Sequence, residues 1–363
     1  MHTWLTGQVE FPMETGPNHH EHPSSIPSPP DLDHFRFHGL HPRVFIGTAS
    51  DRYAGWLEQI YTPARYQGRI QKRANKVGGK SFASQVLPVD SVAEYFEHFP
   101  ILELDFTFYR PLLEADGAPG TNYYTLQQYA GFLKPGDRVF IKAPQVVTAM
   151  KIRRAGGFVP NEDRLNPDLF TRLFYEPATR LLGDNLGGIL FEQEYQRKQE
   201  RQPVDEVADS LHTFFSAIPQ DPRYHLELRT ETYLAGPVFQ VLALHGAGQV
   251  LSHWTWLPPL RKQFERGGKK VYSSAGDVVI RLMTPRGTRY EDAYAKAHPF
   301  NALVDGMMTP SMPDDVADTA SRILETGPRI NIVVNNRSGG NAPLIAKIVA
   351  RRLLEKMSSK PAS

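Results

Sequence analysis

Eight short apolar runs, most of them separated by helical segments, with brief turns before the runs and longer loops after several, predict a TIM-barrel-like (β/α)8 fold built as a single domain. The most informative run is Pro100–Arg110. Its residues alternate, Glu103, Asp105, Thr107 and Tyr109 on one face and Leu104, Phe106 and Phe108 on the other, which is the period of two expected of a strand. A strand covered on both faces is normally apolar throughout. Carboxylates on one face therefore point either to a solvated edge or to a polar cavity inside the barrel, and a second run with His225, Glu227 and Arg229 on one face favours the cavity. The competing architecture, a doubly wound open sheet, expects a Gly-rich turn after the first strand, and the sequence has none there.

In chain order, residues 1–42 are rich in Pro, His and Ser without an apolar period, which predicts a disordered or loosely draped extension before a barrel over 43–356 and a tail over 357–363. His19, His20 and His22 read as part of a flexible tail rather than as a metal site. Val44–Ser50 reads as the first buried strand, and Ala54–Tyr61 as a helical turn carrying Trp56. Gly68–Lys80 holds Arg69, Lys72, Arg73, Lys76 and Lys80 and no acid, so it is either a solvated loop or a basic flap over an anionic ligand. Ser91-Val92-Ala93-Glu94 has the form of a capping box for a helix to Phe99. A helix over Asn122–Leu133 precedes strand Arg138–Ala143, which delivers Lys142. Asn166-Pro167 starts a helix that ends near Gly183. Strand Gly188–Glu192, helix Val204–Ile218 and strand Tyr224–Thr230 continue the alternation. Helix Pro237–His245, strand Gln249–Trp254 with His253, strand Asp277–Met283 with Arg281, helix Asp314–Glu325, strand Arg329–Asn335 and helix Ala342–Lys356 complete it.

The absence of cysteine removes disulfides, thiolate nucleophiles and cysteine-ligated metals together. A formal charge of +2 is too balanced to imply a polyanionic partner by itself, so any anion site must be a local patch. No apolar run approaches the roughly 18 residues of a membrane span, and the polar N-terminus has no signal-peptide core. The expectation is a soluble, cytoplasmic protein with no membrane partner.

In a (β/α)8 barrel the site lies at the carboxyl ends of the strands. There the sequence places Ser50 and Asp51, Asp105 with Tyr109 and Arg110, Lys142, Glu192, Glu227 with Arg229, His253, Arg281, and Asn335 with Asn336. Buried charges must be paired or hydrogen-bonded, so this set is either an internal ionic network or the wall of a polar pocket. Asp105 and Glu227 are the candidate general acid and base, with Lys142, Arg229 and Arg281 holding a phosphate or carboxylate. Asn335-Asn336-Arg337-Ser338-Gly339-Gly340-Asn341 is either a plain glycine turn with Asn341 as helix cap, or an anion site at the place where barrels often bind phosphate. Glu192, Glu227 and His253 form a conceivable metal set, opposed by the adjacent Lys142 and Arg229, and no metal is assigned. Two carboxylates would also suit a glycosidase, a third choice. Trp254 and Trp256 are either loop packing or a stacking platform for a base or sugar. Lys151, Arg153 and Arg154 extend the basic rim.

The stretches Ile46-Gly47-Thr48-Ala49-Ser50 with Tyr53 and Gly55-Trp56, Leu102–Tyr109, Phe140-Ile141-Lys142-Ala143-Pro144, Gly188-Ile189-Leu190-Phe191, Leu226-Glu227-Leu228-Arg229 and Asn335–Pro343 occur in an order that resembles the YecE-like family, the domain of unknown function 72. The resemblance implies a TIM-barrel-like fold and no established activity. That family's barrel is similar to the barrel of metal-dependent phosphoesterases acting on DNA, an analogy of fold. The chain departs from the family's common pattern at Glu192-Gln193-Glu194-Tyr195 and at Thr230-Glu231-Thr232-Tyr233, where a typical member's activity would be altered or absent.

The expected function is binding of an anionic small molecule or nucleic acid in a polar barrel mouth, with phosphoester hydrolysis as the reaction. Ser50, Tyr109, Lys142, Arg229, His253, Arg281, Asn335, Asn336, Gly339, Gly340 and Asn341 form the expected binding set. The alternative is a non-catalytic binding or adaptor protein whose ionic network is structural. Cofactor and oligomeric state are open.

Overall fold

The computed structural model describes residues 29–154 and 157–359. The expected strands are all present: β1 Val44–Ala49, β2 Ile101–Leu104, β3 Arg138–Lys142, β4 Leu186–Gln193, β5 Tyr224–Leu228, β6 Gly248–His253, β7 Asp277–Leu282 and β8 Arg329–Val334. They pair in parallel around a closed barrel in the order β1-β8-β7-β6-β5-β4-β3-β2, with β2 returning to β1 through Gly47 opposite Ile101. Helices cover the outside. Among the described residues no helix is long and apolar enough to cross a membrane.

Strand alternation sorts the barrel interior into layers. Ile101, Phe140, Leu190, Val250, Val279 and Val333 form an apolar middle. Below it, Arg138 donates to Asn331 Oδ1 at 2.8 Å, and Arg329 and Asn331 hold Asp277. His225 lies in the same lower layer against Gly248, where a Cβ would stand 2.3 Å from the imidazole Nδ1, so only glycine fits. Above the middle lie Glu103, Lys142, Glu192, Glu227, Ser252 and Arg281, all buried. An apolar belt thus separates two polar layers, and the upper one faces the carboxyl ends of the strands.

Several expectations are revised. β2 stops at Leu104 and the chain turns into a 3-10 segment, Phe106–Phe108. The alternation beyond Asp105 only imitates a strand, because Thr107 Oγ1 donates to the Lys142 carbonyl and accepts from the Lys142 amide at 2.9 and 3.1 Å, ending the pairing with a side chain. The capping box is not formed. Glu94 instead accepts from Thr62 Oγ1 at 2.6 Å and from Tyr66 at 2.7 Å. Asn166 does cap, accepting from the Leu169 amide.

Two antiparallel hairpins replace the expected basic loops: Gln71–Val77 with Lys80–Val86 after β1, and Lys151–Arg154 with Gly157–Pro160 after β3. The first closes through Gly78 and Gly79, both at positive φ, the pair that a two-residue hairpin turn requires.

The segment expected to hang free also folds back from residue 31. Phe37 is 1% exposed and stacks on Phe99 at 4.6 Å, and Asp33 pairs with Lys347 and Arg351. The histidines at 19, 20 and 22 lie outside the described residues. Phe37→Ala should therefore lower stability by roughly 3–5 kcal/mol in a denaturant titration, whereas a draped segment would leave the midpoint unmoved.

Candidate functional site

The upper layer is a closed ionic cluster. Arg281 from β7, fully buried, donates through Nε and Nη2 to both oxygens of Glu103 from β2, at 2.8 and 2.7 Å. Its Nη1 donates to Glu192 of β4 at 2.9 Å and to Glu227 of β5. Lys142 of β3 lies 2.9 Å from Glu192 and 3.5 Å from Glu103. Arg229, just past β5, lies 3.0 Å from each of Glu192 and Glu227, and Ser252 of β6 donates to Glu227. Three carboxylates meet three cations. Burial alone would push the Glu192 carboxyl up, but Arg229, Lys142 and Arg281 outweigh it and hold it well below the usual carboxylate range. Only the Lys142 and Arg229 side chains keep appreciable exposure, 10% and 19%, and they face the mouth.

Beside this cluster a cleft of about 680 Å³ opens between the first hairpin, the ends of β1 and β2, the Tyr290–Ala297 helix and Arg337 after β8. Ser50, Asp51, Asp105 and Tyr109 line it, with Arg52, Lys76, Arg337 and Tyr290. Ser50 sits at φ +66°, a left-handed turn that directs the chain out of β1 and into the cleft wall. Asp51 is buried, accepts from the Tyr129 hydroxyl at 2.8 Å through Oδ1, and has no partner at Oδ2. Burial pushes its carboxyl up to about 6, against the Tyr129 bond and the Arg52 charge and with help from the charge of Asp105. The Arg337 guanidinium lies 4.5 Å above the Tyr290 ring, and its Nε is buried without a partner. The hairpin adds exposed Lys72, Arg73 and Lys80, and no acid occurs between Gly68 and Val86.

The expected site residues therefore divide. Ser50, Asp105 and Tyr109 meet in the cleft, while Glu227, Lys142, Arg229 and Arg281 meet in the ionic cluster. His253 belongs to neither. On β6 it shares the outward face with Leu251, opposite to Ser252, and its buried ring is driven down to about 4 by burial and by Arg286, so it stays neutral. A metal set from Glu192, Glu227 and His253 is not assembled, and among the described residues no group of three His, Asp or Glu stands together in a way that could hold a metal ion.

The glycine turn is also not an open anion cradle. Its amides are taken internally: Arg337 by Asn335 Oδ1, Gly339 and Gly340 by the Asn336 carbonyl, Ala342 by Asn336 Oδ1 and Leu344 by Asn341 Oδ1. A Cβ on Gly340 would meet the Ala302 carbonyl at 2.4 Å, so the turn is covered by a neighbouring segment, and Asn341 acts as the helix cap. The sequence places Asp51 at the mouth without giving it a role, and gives Arg337 a part only in the anion site expected at the glycine turn, whereas its guanidinium lines the cleft. Only the contact of Asp51 with Tyr129, 78 residues away, singles it out.

The profile of a family described as "Protein of unknown function DUF72" matches residues 45–363. Among solved structures the chain is similar to a DUF72 family protein from Thermotoga maritima, at 15% identity over 86% of this chain and 99% of that one, with a TM-score of 0.49. It is also similar to a DUF72 family protein from Enterococcus faecalis, at 12% identity over 88% of this chain and 97% of that one, again with a TM-score of 0.49. No curated protein matches.

Arg281→Met should cost about 3–5 kcal/mol by leaving buried carboxylates short of a cation. Combined with Glu103→Gln it should cost clearly less than the sum of the two single changes, and strict additivity in denaturation would show that the pair is not coupled. For Asp51 the sign is opposite to that of a salt-bridged acid. Its folded value of about 6 lies above the ordinary 3.8, so the folded state is favoured below 3.8 and loses stability as pH rises through 6. Asp51→Asn should stabilise the protein above pH 6 by up to about 3 kcal/mol, an advantage that disappears below pH 4. A melting series that showed a constant difference across this range would refute the assignment.

Proposed function

The chain belongs to the DUF72 family, and for this member we propose that the cleft beneath the first hairpin binds a phosphorylated or nucleic-acid ligand and hydrolyses a phosphoester. The observation that carries the reading is Asp51: a buried carboxyl with one unpartnered oxygen, pushed up to about 6 by burial, in a cleft that Arg52, Lys76 and Arg337 line together with Asp105 and Glu291. A group with that value is partly protonated near neutrality and suits a general acid. In the proposed reaction Asp105 takes a proton from water as the water oxygen attacks phosphorus. The bond from phosphorus to the leaving oxygen breaks, and Asp51 delivers its proton there. Arg337, Arg52 and Lys76 would neutralise the phosphoryl oxygens, with the hairpin lysines steering the ligand inward. In this scheme Glu227 is not a base, because Arg281, Arg229 and Ser252 already occupy its oxygens. It belongs to the framework.

A second reading, a non-catalytic binding protein with a structural ionic network, is favoured by the one-to-one matching of cluster charges, which leaves no cluster cation without an acid. Both readings place the ligand in the cleft and differ on turnover. Melting temperature should rise with phosphate, nucleotides or oligonucleotides, more at low than at moderate salt. Lys76→Ala with Arg337→Ala should weaken that binding about tenfold, by roughly 1.4 kcal/mol. A flat response to every anion would exclude the cleft as an anion site. With a dinucleotide phosphodiester, whose alkoxide leaving group needs a proton, the rate should fall as pH rises through about 6, and Asp51→Asn should remove this dependence along with most of the rate. Intact binding with no turnover at any pH would select the second reading.

A further inference from the structure

Across the mouth from the cleft, the loops after β4, β5 and β6 carry an aromatic ladder that the proposed reaction does not use. The Arg229 guanidinium lies 5.3 Å from the centre of the Trp254 ring, and Trp254 packs against Tyr195 at 6.0 Å. Tyr195 in turn stacks on Trp256 at 5.5 Å, with the planes 24° apart. The ladder ends there. Trp256 is 45% exposed, so one face of its indole rests on Tyr195 and the other is open.

Trp256 and Tyr195 line a hollow of about 390 Å³ together with Arg201, Glu231, Thr232 and Arg266. Arg201 donates to the Gln196 carbonyl at 3.1 Å and Arg266 pairs with Glu231 at 2.7 Å, which sets donors and an acceptor around the rings. A preformed aromatic face with donors and acceptors at its edge suits a flat ring with polar atoms in its plane. Arg266 is neutralised by Glu231, but Arg201, held by a carbonyl rather than a carboxylate, adds a positive charge at the rim that a neutral sugar does not need and a phosphate-bearing base does.

We propose that this hollow stacks one base of a single-stranded nucleic acid whose phosphate meets Arg201 at the rim and whose backbone continues across the mouth toward the cleft. The proposal deepens the reading of the cleft and rests on it for the identity of the ligand. Single strands are required because the bases of a duplex already stack on one another and offer no free face to Trp256.

The test is tryptophan fluorescence of the full chain titrated with adenosine, a single-stranded oligodeoxynucleotide, its duplex, and maltose. Trp256 is the exposed indole among the described residues, Trp254 being half-buried and Trp56 buried, so the Trp256→Ala variant identifies its share of the signal. Adenosine and the single strand should quench, and the duplex and maltose should not. Trp256→Ala should remove the adenosine response and weaken single-strand binding, read by anisotropy, about tenfold. Trp256→Phe, which restores a ring, should recover most of it. Quenching by maltose, equal quenching by the duplex, absence of adenosine quenching, or unchanged single-strand affinity in Trp256→Ala would each overturn the proposal. Adenosine carries no phosphate and reports on the hollow, whereas the part of the stabilisation by inorganic phosphate that Lys76→Ala with Arg337→Ala removes reports on the cleft. Loss of one response with retention of the other shows which of the two readings has failed.

Discussion

A guanidinium cannot give up its proton at any physiological pH, so an arginine sealed inside a barrel must bring its counter-charges with it. Arg281 does so by drawing Glu103, Glu192 and Glu227 inward from three other strands. Three carboxylates around one cation would leave an excess of negative charge, which Lys142 and Arg229 remove, and Ser252 takes one of the remaining oxygens. The consequence is mechanical as well as electrostatic. Side chains from β2 through β7 are fixed relative to one another above the apolar belt, so the floor of the mouth is rigid.

Saturation of this cluster moves the candidate chemistry to its margins. A carboxylate whose oxygens are already bonded cannot accept a proton from water without breaking those bonds, and each broken bond exposes a buried charge. Asp51 stands in the opposite condition. It is buried with one oxygen free, in a wall formed by three adjacent strands, β8, β1 and β2, and the hairpin between the first two elements of the barrel brings lysines and arginines over it without any acid. The aromatic ladder lies on the other side of the same floor. In the proposed arrangement the ionic cluster serves both sites as a common base plate.

Legibility varied with how local the determining interaction is. The eight strands could be placed because each is short, apolar and bounded by turns, and Asn166 and Asn341 could be recognised as caps because a cap is settled within four residues. The presence of an acid-base set inside the barrel was visible too, since alternation puts Glu103, Glu227 and Arg281 on inward faces. His253 shows where the same reasoning slipped, since proximity to a strand end says nothing about which face a residue occupies. The glycine turn slipped for another reason. Its amides are consumed by Asn335, Asn336 and Asn341, and whether such a turn is open or closed depends on the segment near Ala302 that covers it.

What the sequence by itself determined was the barrel, its strand order and the inward placement of a charged layer, because those follow from periodicity and chain connectivity, which are properties of neighbouring residues. The tertiary structure alone decided that the charged layer is neutral and closed, that residues 31–42 pack against the body, and that Asp51 keeps an unpaired oxygen beside Arg337 and the first hairpin. These depend on partners 78 residues apart for Asp51 and Tyr129, and 178 apart for Glu103 and Arg281. A pairing across such separations is set by burial and by the demand that enclosed charge be compensated, and neither is visible until the barrel has closed.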